Sequence, residues 1–131
     1  MTLEVSSQVI DALLAHARTA HPHECCGLLL GASLHISAIQ PAANVHVASH
    51  THFEIDPQIL VDAHRAARGG GPQVLGYYHS HPNGLARPSA TDVAMQTGQK
   101  AIWAIIAAGG VTFWREGASR FTALPYSVVP R

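Results

Sequence analysis

Three short apolar runs, each closed by glycine or a polar turn, constrain the fold of this chain more than any other feature. They cover residues 27–30, 74–78 and 101–108. Runs of this length are typical of buried β-strands, because a helix with a buried face is usually longer. Amphipathic helical patterns alternate with these runs. The order of helix, strands, helix, strand, helix and strands predicts an α/β or α+β domain, with a mixed sheet and helices packed on it.

Two longer helices are predicted where apolar side chains recur at the spacing of one helix face. The first begins at Ser6 or Ser7, whose hydroxyls suit an N-cap, and it stops at Pro22. The second begins at Pro57 and ends at the glycines of 69–71. Each helix has an apolar face, so both are expected to pack on the sheet.

Shorter elements are predicted in the remaining segments. Residues 53–55 alternate apolar and polar side chains, which predicts a short strand. A helix is predicted from Pro88 through about Gly98. A hairpin turn at 109–110 is expected to join two strands, and a last strand is predicted at 121–124. A length of 131 residues without a linker or repeat predicts a single domain over the whole chain, residues 1–131.

Charge and cysteine usage exclude several classes of protein. Eight Lys and Arg balance eight Asp and Glu, which disfavours a nucleic-acid binder that works through a basic patch. No apolar run reaches the roughly 20 residues that span a membrane, and the N-terminus lacks the basic start of a signal peptide. Cys25 and Cys26 are adjacent and form no disulfide framework. We therefore expect a cytoplasmic protein without nucleic-acid or membrane partners.

Two histidines at the end of a predicted strand, followed by the start of a helix, form the pattern that indicates chemistry. His79 and His81 project to the same side, because side chains alternate along a strand. Ser89 suits the N-cap of the next helix, which places Asp92 in its first turn. Two imidazoles and one carboxylate leave a fourth position for water, as in catalytic zinc sites. The segment from Ser89 to Asp92 is also a capping box, and the two interpretations are compatible.

The spacing of these residues resembles that of the JAMM (MPN+) zinc metalloprotease family. His-x-His is followed by seven residues, a Ser, two residues and an Asp, and a Glu lies far upstream. Residues 24–31 are similar to the family's Glu-x-Cys-Gly stretch, and 76–82 match its Gly-x-Tyr-His-Ser-His-Pro pattern. Residues 53–57 resemble the lead-in to its second helix. The similarity covers nearly the whole chain and is closest to small stand-alone bacterial members.

This resemblance implies a fold and a role for each site residue. The fold would be a mixed, largely antiparallel sheet curled around a zinc site, with helices packed on it in the three layers of MPN and cytidine-deaminase-like proteins. His79, His81 and Asp92 would bind Zn²⁺, with water as the fourth ligand. Glu24 would accept a proton from that water and deliver it to the leaving amine. Ser89 would donate a hydrogen bond to the oxyanion of the tetrahedral intermediate.

The resemblance also implies an activity and a partner. The family cleaves amide bonds at the C-terminal tail of ubiquitin-like proteins, and some small bacterial members trim ubiquitin-like sulfur-carrier proteins. The expected partner is such a tail, which could pair with a strand edge beside the zinc. Tyr77, Tyr78 and the loop 83–87 are expected to line the site whichever amide is the substrate. Two alternatives stay open. One is a zinc amidohydrolase that acts on a cell-wall peptide or a small-molecule amide, and the other is a non-catalytic MPN-type interaction module.

Most of the ten histidines are not needed for this site. His46, His50 and His52 lie in a polar stretch, where solvated loop residues are expected rather than a second metal site. His21 and His23 flank Pro22 close to Glu24 in sequence, so a role at the rim of the cleft stays open as the less favoured alternative for them.

Overall fold

Eight strands form one continuous sheet in the computed structural model, which describes residues 2–131. The elements in chain order are β1 Leu3–Ser6, α1 Ser7–Ala20, β2 Cys26–Ala32, β3 His35–Ala42, α2 Pro57–Arg68, β4 Gln73–Ser80, α3 Ala90–Ala94, β5 Ile102–Ala107, β6 Gly110–Glu116, β7 Phe121–Leu124 and β8 Tyr126–Val129. The strand order across the sheet is β7-β6-β5-β4-β2-β3-β1-β8. Four neighbouring pairs are antiparallel, and β1–β3, β1–β8 and β4–β5 are parallel. The predicted mixed, largely antiparallel sheet is therefore confirmed.

Helices cover both faces of the sheet and complete three layers. Successive residues of β2 point to opposite faces, because side chains alternate along a strand. Leu29 joins a cluster with Leu13 of α1, whereas Leu28 joins a second cluster with Trp103, against which Leu60 of α2 packs. The three-layer arrangement agrees with the expectation from the sequence. None of the helices within residues 2–131 is both long and apolar enough to cross a membrane.

The third helix is much shorter than predicted. It covers Ala90–Ala94, whereas the sequence pattern suggested a helix through Gly98. The backbone N–H and the hydroxyl of Thr97 both donate to the carboxylate of Glu116, at 2.9 and 2.8 Å, which takes the chain out of the helical path. Gly98 then adopts a φ of 78°, a left-handed conformation that a helix cannot continue.

The turn between β5 and β6 lies one residue earlier than predicted. Ala107 pairs with Gly110, so the two residues of the turn are Ala108 and Gly109, with φ of 52° and 78°. Positive φ at both central positions is required by the type I′ turn that suits a two-residue hairpin. Gly110, assigned to the turn from sequence, is the first residue of β6.

Two edge elements and one central segment differ from the sequence prediction. The strands β1 and β8 were missed, and they pair with each other in parallel from Leu3 opposite Tyr126. Each has only four residues, too few for an alternating pattern to stand out. Residues 53–55, predicted as a strand, form only a single bridge between Asn44 and Ile55.

The strand that carries the two histidines offers no free edge. β4 pairs with β2 on one side and with β5 on the other, and the sheet ends at β7 and β8. Both backbone edges of β4 are hydrogen-bonded within the sheet, so the expected pairing of a substrate tail with a strand edge beside the site would have to use another strand.

Candidate active site

The sheet holds the first histidine rigidly at the end of β4. His79 lies opposite Cys26 of β2 and Ile105 of β5, and it is fully buried. Its ring stacks on Phe53, with ring centroids 4.3 Å apart and planes inclined by 18°. Trp103 meets the same ring edge-on at 5.6 Å. These contacts on both sides leave the imidazole little freedom to rotate.

Three side chains converge on one point just beyond the strand. The Nε2 atoms of His79 and His81 are 2.9 Å apart. Asp92 places Oδ1 3.1 Å from Nε2 of His79 and Oδ2 3.0 Å from Nε2 of His81. All three residues are buried. Within residues 2–131 they are the only group of three or more His, Cys, Asp or Glu side chains close enough to hold one metal ion.

The donor atoms of this cluster suit a cation. Nδ1 of His81 lies 2.7 Å from the carbonyl oxygen of Leu85, which only accepts, so Nδ1 carries a proton. With Nδ1 protonated, either a second proton or a metal ion must lie between Nε2 and Oδ2 of Asp92, because two acceptors 3.0 Å apart repel each other. In the neutral ring, the lone pair of Nε2 would be a ligand for a metal ion. Ligand atoms about 2.0–2.1 Å from a tetrahedral zinc ion are roughly 3.3 Å apart, close to the separations observed.

Burial and hydrogen bonding shift the pKa values of these three residues. Burial lowers the pKa of His79, whose ring is therefore neutral. Burial opposes the charged form of His81 too, but hydrogen bonds to Asp92 and to the Leu85 carbonyl raise its pKa overall. Burial would raise the pKa of Asp92, yet the hydrogen bonds from the two histidines hold it well below its usual range. The carboxylate of Asp92 is therefore ionised and paired with the two imidazoles, whose protons a bound metal ion would replace.

A capping box positions Asp92. Its backbone N–H donates to Oγ of Ser89 at 3.0 Å, and the N–H of Ser89 donates to Oδ2 of Asp92 at 2.9 Å. Because Ser89 Oγ acts as an acceptor in this box, its own hydrogen remains available to donate. Ser89 is exposed, so that hydrogen can reach a molecule in the cleft.

Glu24 lies in the same cleft as His81 and Ser89. The cleft has a volume of about 320 Å³. The backbone of Glu24 is fixed by its N–H to Ser49 O at 2.7 Å and by the Asn44 amide on its carbonyl at 3.0 Å. Burial raises the pKa of Glu24 to about 7, although the positive field of His81 works against this shift. A carboxylate with such a pKa is suited to accept and release a proton near neutral pH.

The walls of the cleft only partly match the sequence prediction. Residues 83, 85 and 87 of the predicted loop line it, and residues 50 and 51 form part of the opposite side. Tyr77 and Tyr78 do not line it. Tyr78 is buried beneath α1, with its hydroxyl 2.7 Å from Nδ1 of His16, and Tyr77 packs edge-on to Trp103. Both tyrosines precede the histidines within β4 and point to opposite faces of the sheet, where Tyr78 joins the cluster under α1 and Tyr77 packs against the cluster of Trp103.

The remaining histidines near the site form ring pairs. His23 lies against His50 at 4.2 Å, and His46 stacks on His52 at 4.8 Å. Neither pair belongs to a group of three or more candidate metal-ligating side chains within residues 2–131. His21 and His23 line a second groove of about 510 Å³ that shares His81 and Pro82 with the cleft. They therefore line the adjoining groove, and not the cleft that contains Glu24 and Ser89.

Supporting residues of the site were missed from sequence. Trp103, which contacts the ring of His79, donates its Nε1–H to Oε2 of Glu116 at 2.7 Å. Glu116 is only 3% exposed and also accepts both hydrogen bonds of Thr97. The one signal in the sequence is a carboxylate directly after the predicted strand of residues 111–115. Its partners lie 13 and 19 residues away, beyond the reach of local patterns.

Substitution of Glu116 tests this support. We expect Glu116→Gln to lower the free energy of unfolding at pH 7 by about 1–3 kcal/mol. The carboxylate accepts hydrogen bonds with both oxygens, whereas the amide has one oxygen and an NH₂ group that cannot accept from the Thr97 and Trp103 donors. The hydrogen bonds from Thr97 and Trp103 outweigh burial and lower the pKa of Glu116. The ionised Glu116 therefore stabilises the fold fully at pH values above its pKa in the unfolded chain. This stabilisation is lost as the pH falls through its lower pKa in the folded protein.

Denaturant unfolding at several pH values measures both effects. The wild-type protein should lose part of its stability between neutral and acidic pH, and Glu116→Gln should lose less over the same range. The exposed Glu4→Gln is the matched control and should follow the wild type. Equal stability of Glu116→Gln and wild type at pH 7 would show that this carboxylate does not support the site.

Comparison with known proteins identifies a family that matches this chain and several related proteins. Residues 6–117 match the Prok-JAB family, described as prokaryotic homologs of the JAB domain. The chain is 35% identical over 96 residues to Desampylase of Haloferax volcanii, covering 69% of each protein. It is 29% identical over 108 residues to CysO-cysteine peptidase of Mycobacterium tuberculosis, covering 79% of this chain and 72% of that protein. It is 31% identical over 123 residues to Tail tip assembly protein K of Escherichia phage N15, covering 94% of this chain but 45% of the phage protein.

Solved structures share the whole fold. A protein from Desulfitobacterium hafniense superposes with a TM-score of 0.84 at 27% identity, covering 98% of this chain and 93% of the other. A structure described as a JAMM metalloprotease-like zinc site in the proteasome and signalosome superposes with a TM-score of 0.61 at 18% identity, covering 97% and 99%. The second likeness concerns the fold alone.

Proposed function

Because this chain belongs to the JAMM/MPN+ metalloprotease family, among the prokaryotic homologues of the JAB domain, we propose that it is a zinc-dependent peptidase or isopeptidase acting on a ubiquitin-like protein of the sulfur-carrier type. The bond cleaved is an amide at the C-terminal tail of that protein. The observation that carries this proposal is the convergence of two imidazoles and a carboxylate in a cleft shared with Glu24 and Ser89.

His79, His81 and Asp92 would hold the zinc ion. Three protein ligands leave one position open, which is typical of a catalytic rather than a structural site. When bound, zinc lowers the pKa of a coordinated water toward about 7 and polarises a carbonyl group. The hydrogen bond from His81 Nδ1 to Leu85 and the capping box at Asp92 orient two of the ligands.

Glu24 is the proton carrier in this proposal. Its carboxylate accepts a proton from the attacking water and later delivers it to the nitrogen of the leaving amine. Burial keeps its pKa near neutral, so both transfers are possible at the same pH. The hydrogen bonds of its backbone to Ser49 and Asn44 hold it at the cleft without occupying the carboxylate.

Ser89 stabilises the oxyanion that forms when water adds to the carbonyl. The capping box takes the acceptor side of its hydroxyl and leaves the hydrogen to donate. A donor aimed at developing negative charge contributes about 100-fold or more to the rate of such reactions. Ser89 would thus serve two purposes, because it also holds Asp92 in place.

The shape of the site supports a substrate that extends on both sides of the bond. The cleft and the groove beside α1 meet at His81 and Pro82, so two openings reach the ligands. Two relatives carry the names Desampylase and CysO-cysteine peptidase, which favours a peptidase of carrier-type conjugates over a small-molecule amidase. The complete ligand set argues against a non-catalytic module.

A cleavage assay tests the proposed function. The substrate is a ubiquitin-like sulfur-carrier protein that is extended at its C-terminus by one amino acid. It is incubated with zinc-loaded enzyme, and its mass is measured by intact mass spectrometry. We expect loss of the added residue by hydrolysis, and no loss in the presence of a chelator. An intact carrier, under conditions where a known carrier peptidase cleaves it, would contradict the proposal. Hydrolysis of cell-wall peptides alone would support the amidohydrolase instead.

A further inference from the structure

We propose that Arg87 binds the carboxylate of the amino acid that leaves the substrate tail. The enzyme would then prefer a bond to a C-terminal amino acid over a bond to an amine without a neighbouring carboxylate, such as a lysine side chain. This inference rests on the proposed function and specifies the leaving group of the same site.

Arg87 is an unpaired cation in the catalytic cleft. It is exposed and lines the same 320 Å³ cleft as Glu24 and Ser89. Within residues 2–131 the only carboxylate in a salt bridge is that of Asp92, which faces the two histidines, so the guanidinium of Arg87 has no acidic partner in the fold. The positive charge is therefore free to bind an anionic group of the substrate.

The loop before Arg87 is held in place at two consecutive carbonyls. His81 donates from Nδ1 to the oxygen of Leu85 at 2.7 Å, and Thr112 donates its hydroxyl to the oxygen of Ala86 at 3.1 Å. The first bond ties the loop to a metal-ligand candidate, and the second ties it to β6. A loop ordered in advance loses less entropy when a ligand binds. Thr112 is accordingly a positioning residue for Arg87.

The chemistry of the leaving group matches this position. Glu24 delivers its proton to the leaving nitrogen, so the atoms next to that nitrogen lie in the same cleft. In an amino acid the α-carboxylate is separated from the nitrogen by one carbon. A guanidinium presents paired N–H donors that match the two oxygens of a carboxylate. A lysine within a protein chain carries no free carboxylate and gains nothing from Arg87.

Paired substrates test this assignment. Two carrier tails carry the same added amino acid and differ only in a terminal carboxylate or carboxamide. We expect wild-type kcat/KM to favour the carboxylate by about 10- to 100-fold, the range for a hydrogen-bonded charge. Arg87→Gln should bring the ratio close to one. The exposed Arg65→Gln on α2 is the matched control and should keep the wild-type ratio.

Thr112→Val tests the positioning role. It removes the donor to Ala86 while keeping the shape of the side chain, and it should reduce the carboxylate preference by less than Arg87→Gln does. Thr112→Ser keeps the hydroxyl and should restore the preference. A change in stability without a change in the ratio would show that Thr112 is only structural.

A binding measurement separates this inference from the proposed function. Fluorescence anisotropy with labelled tail peptides is measured on Glu24→Gln, with and without Arg87→Gln, where no cleavage interferes. Carboxylate-selective binding that requires Arg87 supports the assignment even if wild type cleaves neither substrate, in which case only the proposed function fails. Equal cleavage and binding of both peptides overturns the assignment and leaves the proposed function intact. A third experiment neutralises an acidic side chain of the carrier tail. If this substitution removes the effect of Arg87→Gln, Arg87 binds that side chain and the assignment is overturned.

Discussion

Replacing Glu24 by glutamine is expected to reduce turnover by about 100- to 10,000-fold while zinc stays bound, because general acid–base catalysis is lost. Glutamine has nearly the same shape but cannot take a proton from water or give one to the leaving amine. Glu24 is not among the three converging ligands, and its backbone hydrogen bonds to Ser49 and Asn44 do not involve the side chain. The measurement is kcat/KM on the carrier substrate, together with the zinc content per chain.

The exposed Glu54→Gln is the matched control and should keep wild-type activity and zinc. A Glu24→Gln protein that retains activity within a few-fold of wild type would refute the role of Glu24 as proton carrier. A variant that loses its zinc would instead show that Glu24 supports the metal, which the geometry does not suggest.

Removal of a ligand is expected to have an even broader effect. His79→Ala should abolish both zinc binding and turnover, because only His81 and Asp92 would remain. Zinc that binds the folded state raises the melting temperature of the wild-type protein. The variant should show no such rise, and this comparison separates loss of the site from loss of activity alone.

Packing complicates this variant, because the ring of His79 lies between Phe53 and Trp103. His81→Gln removes a ligand nearer the surface and tests the same claim with less disturbance of the core. His64→Ala, at an exposed position of α2, controls for the general loss of an imidazole. Tight binding of one zinc ion by both His79→Ala and His81→Gln would refute the assignment of the ligands.

The parts of the site that are close in sequence were predictable from it. His79 and His81 share one side of a strand end because of the two-residue repeat, and the capping box fixes Asp92 three residues after Ser89. The position of Glu24 has a different origin. Antiparallel pairing of β2 with β4 sets Cys26 opposite His79, and this brings residue 24 to the cleft. Only the resemblance to a family indicated that residue in the sequence.

Contacts between distant segments account for the features that sequence patterns missed. The parallel pairing of β1 with β8 joins the two ends of the chain. The hydrogen bond from Thr97 to Glu116 ends the third helix early. The hydrogen bond from Trp103 to Glu116 holds the indole ring that packs against His79. The bond from Thr112 to Ala86 orders the loop that carries Arg87. Each is a tertiary contact between distant segments, and such contacts produce no periodic pattern of apolar residues from which they could be predicted.

Zinc titration of metal-stripped protein tests the central claim most directly. The protein is treated with a chelator, freed of it, and assayed on the extended carrier substrate as zinc is added. We expect no cleavage before zinc, a rise in proportion to the zinc added, and a plateau at one zinc ion per chain. Full activity of the stripped protein, or an inactive protein after one zinc ion per chain has bound, would contradict the account.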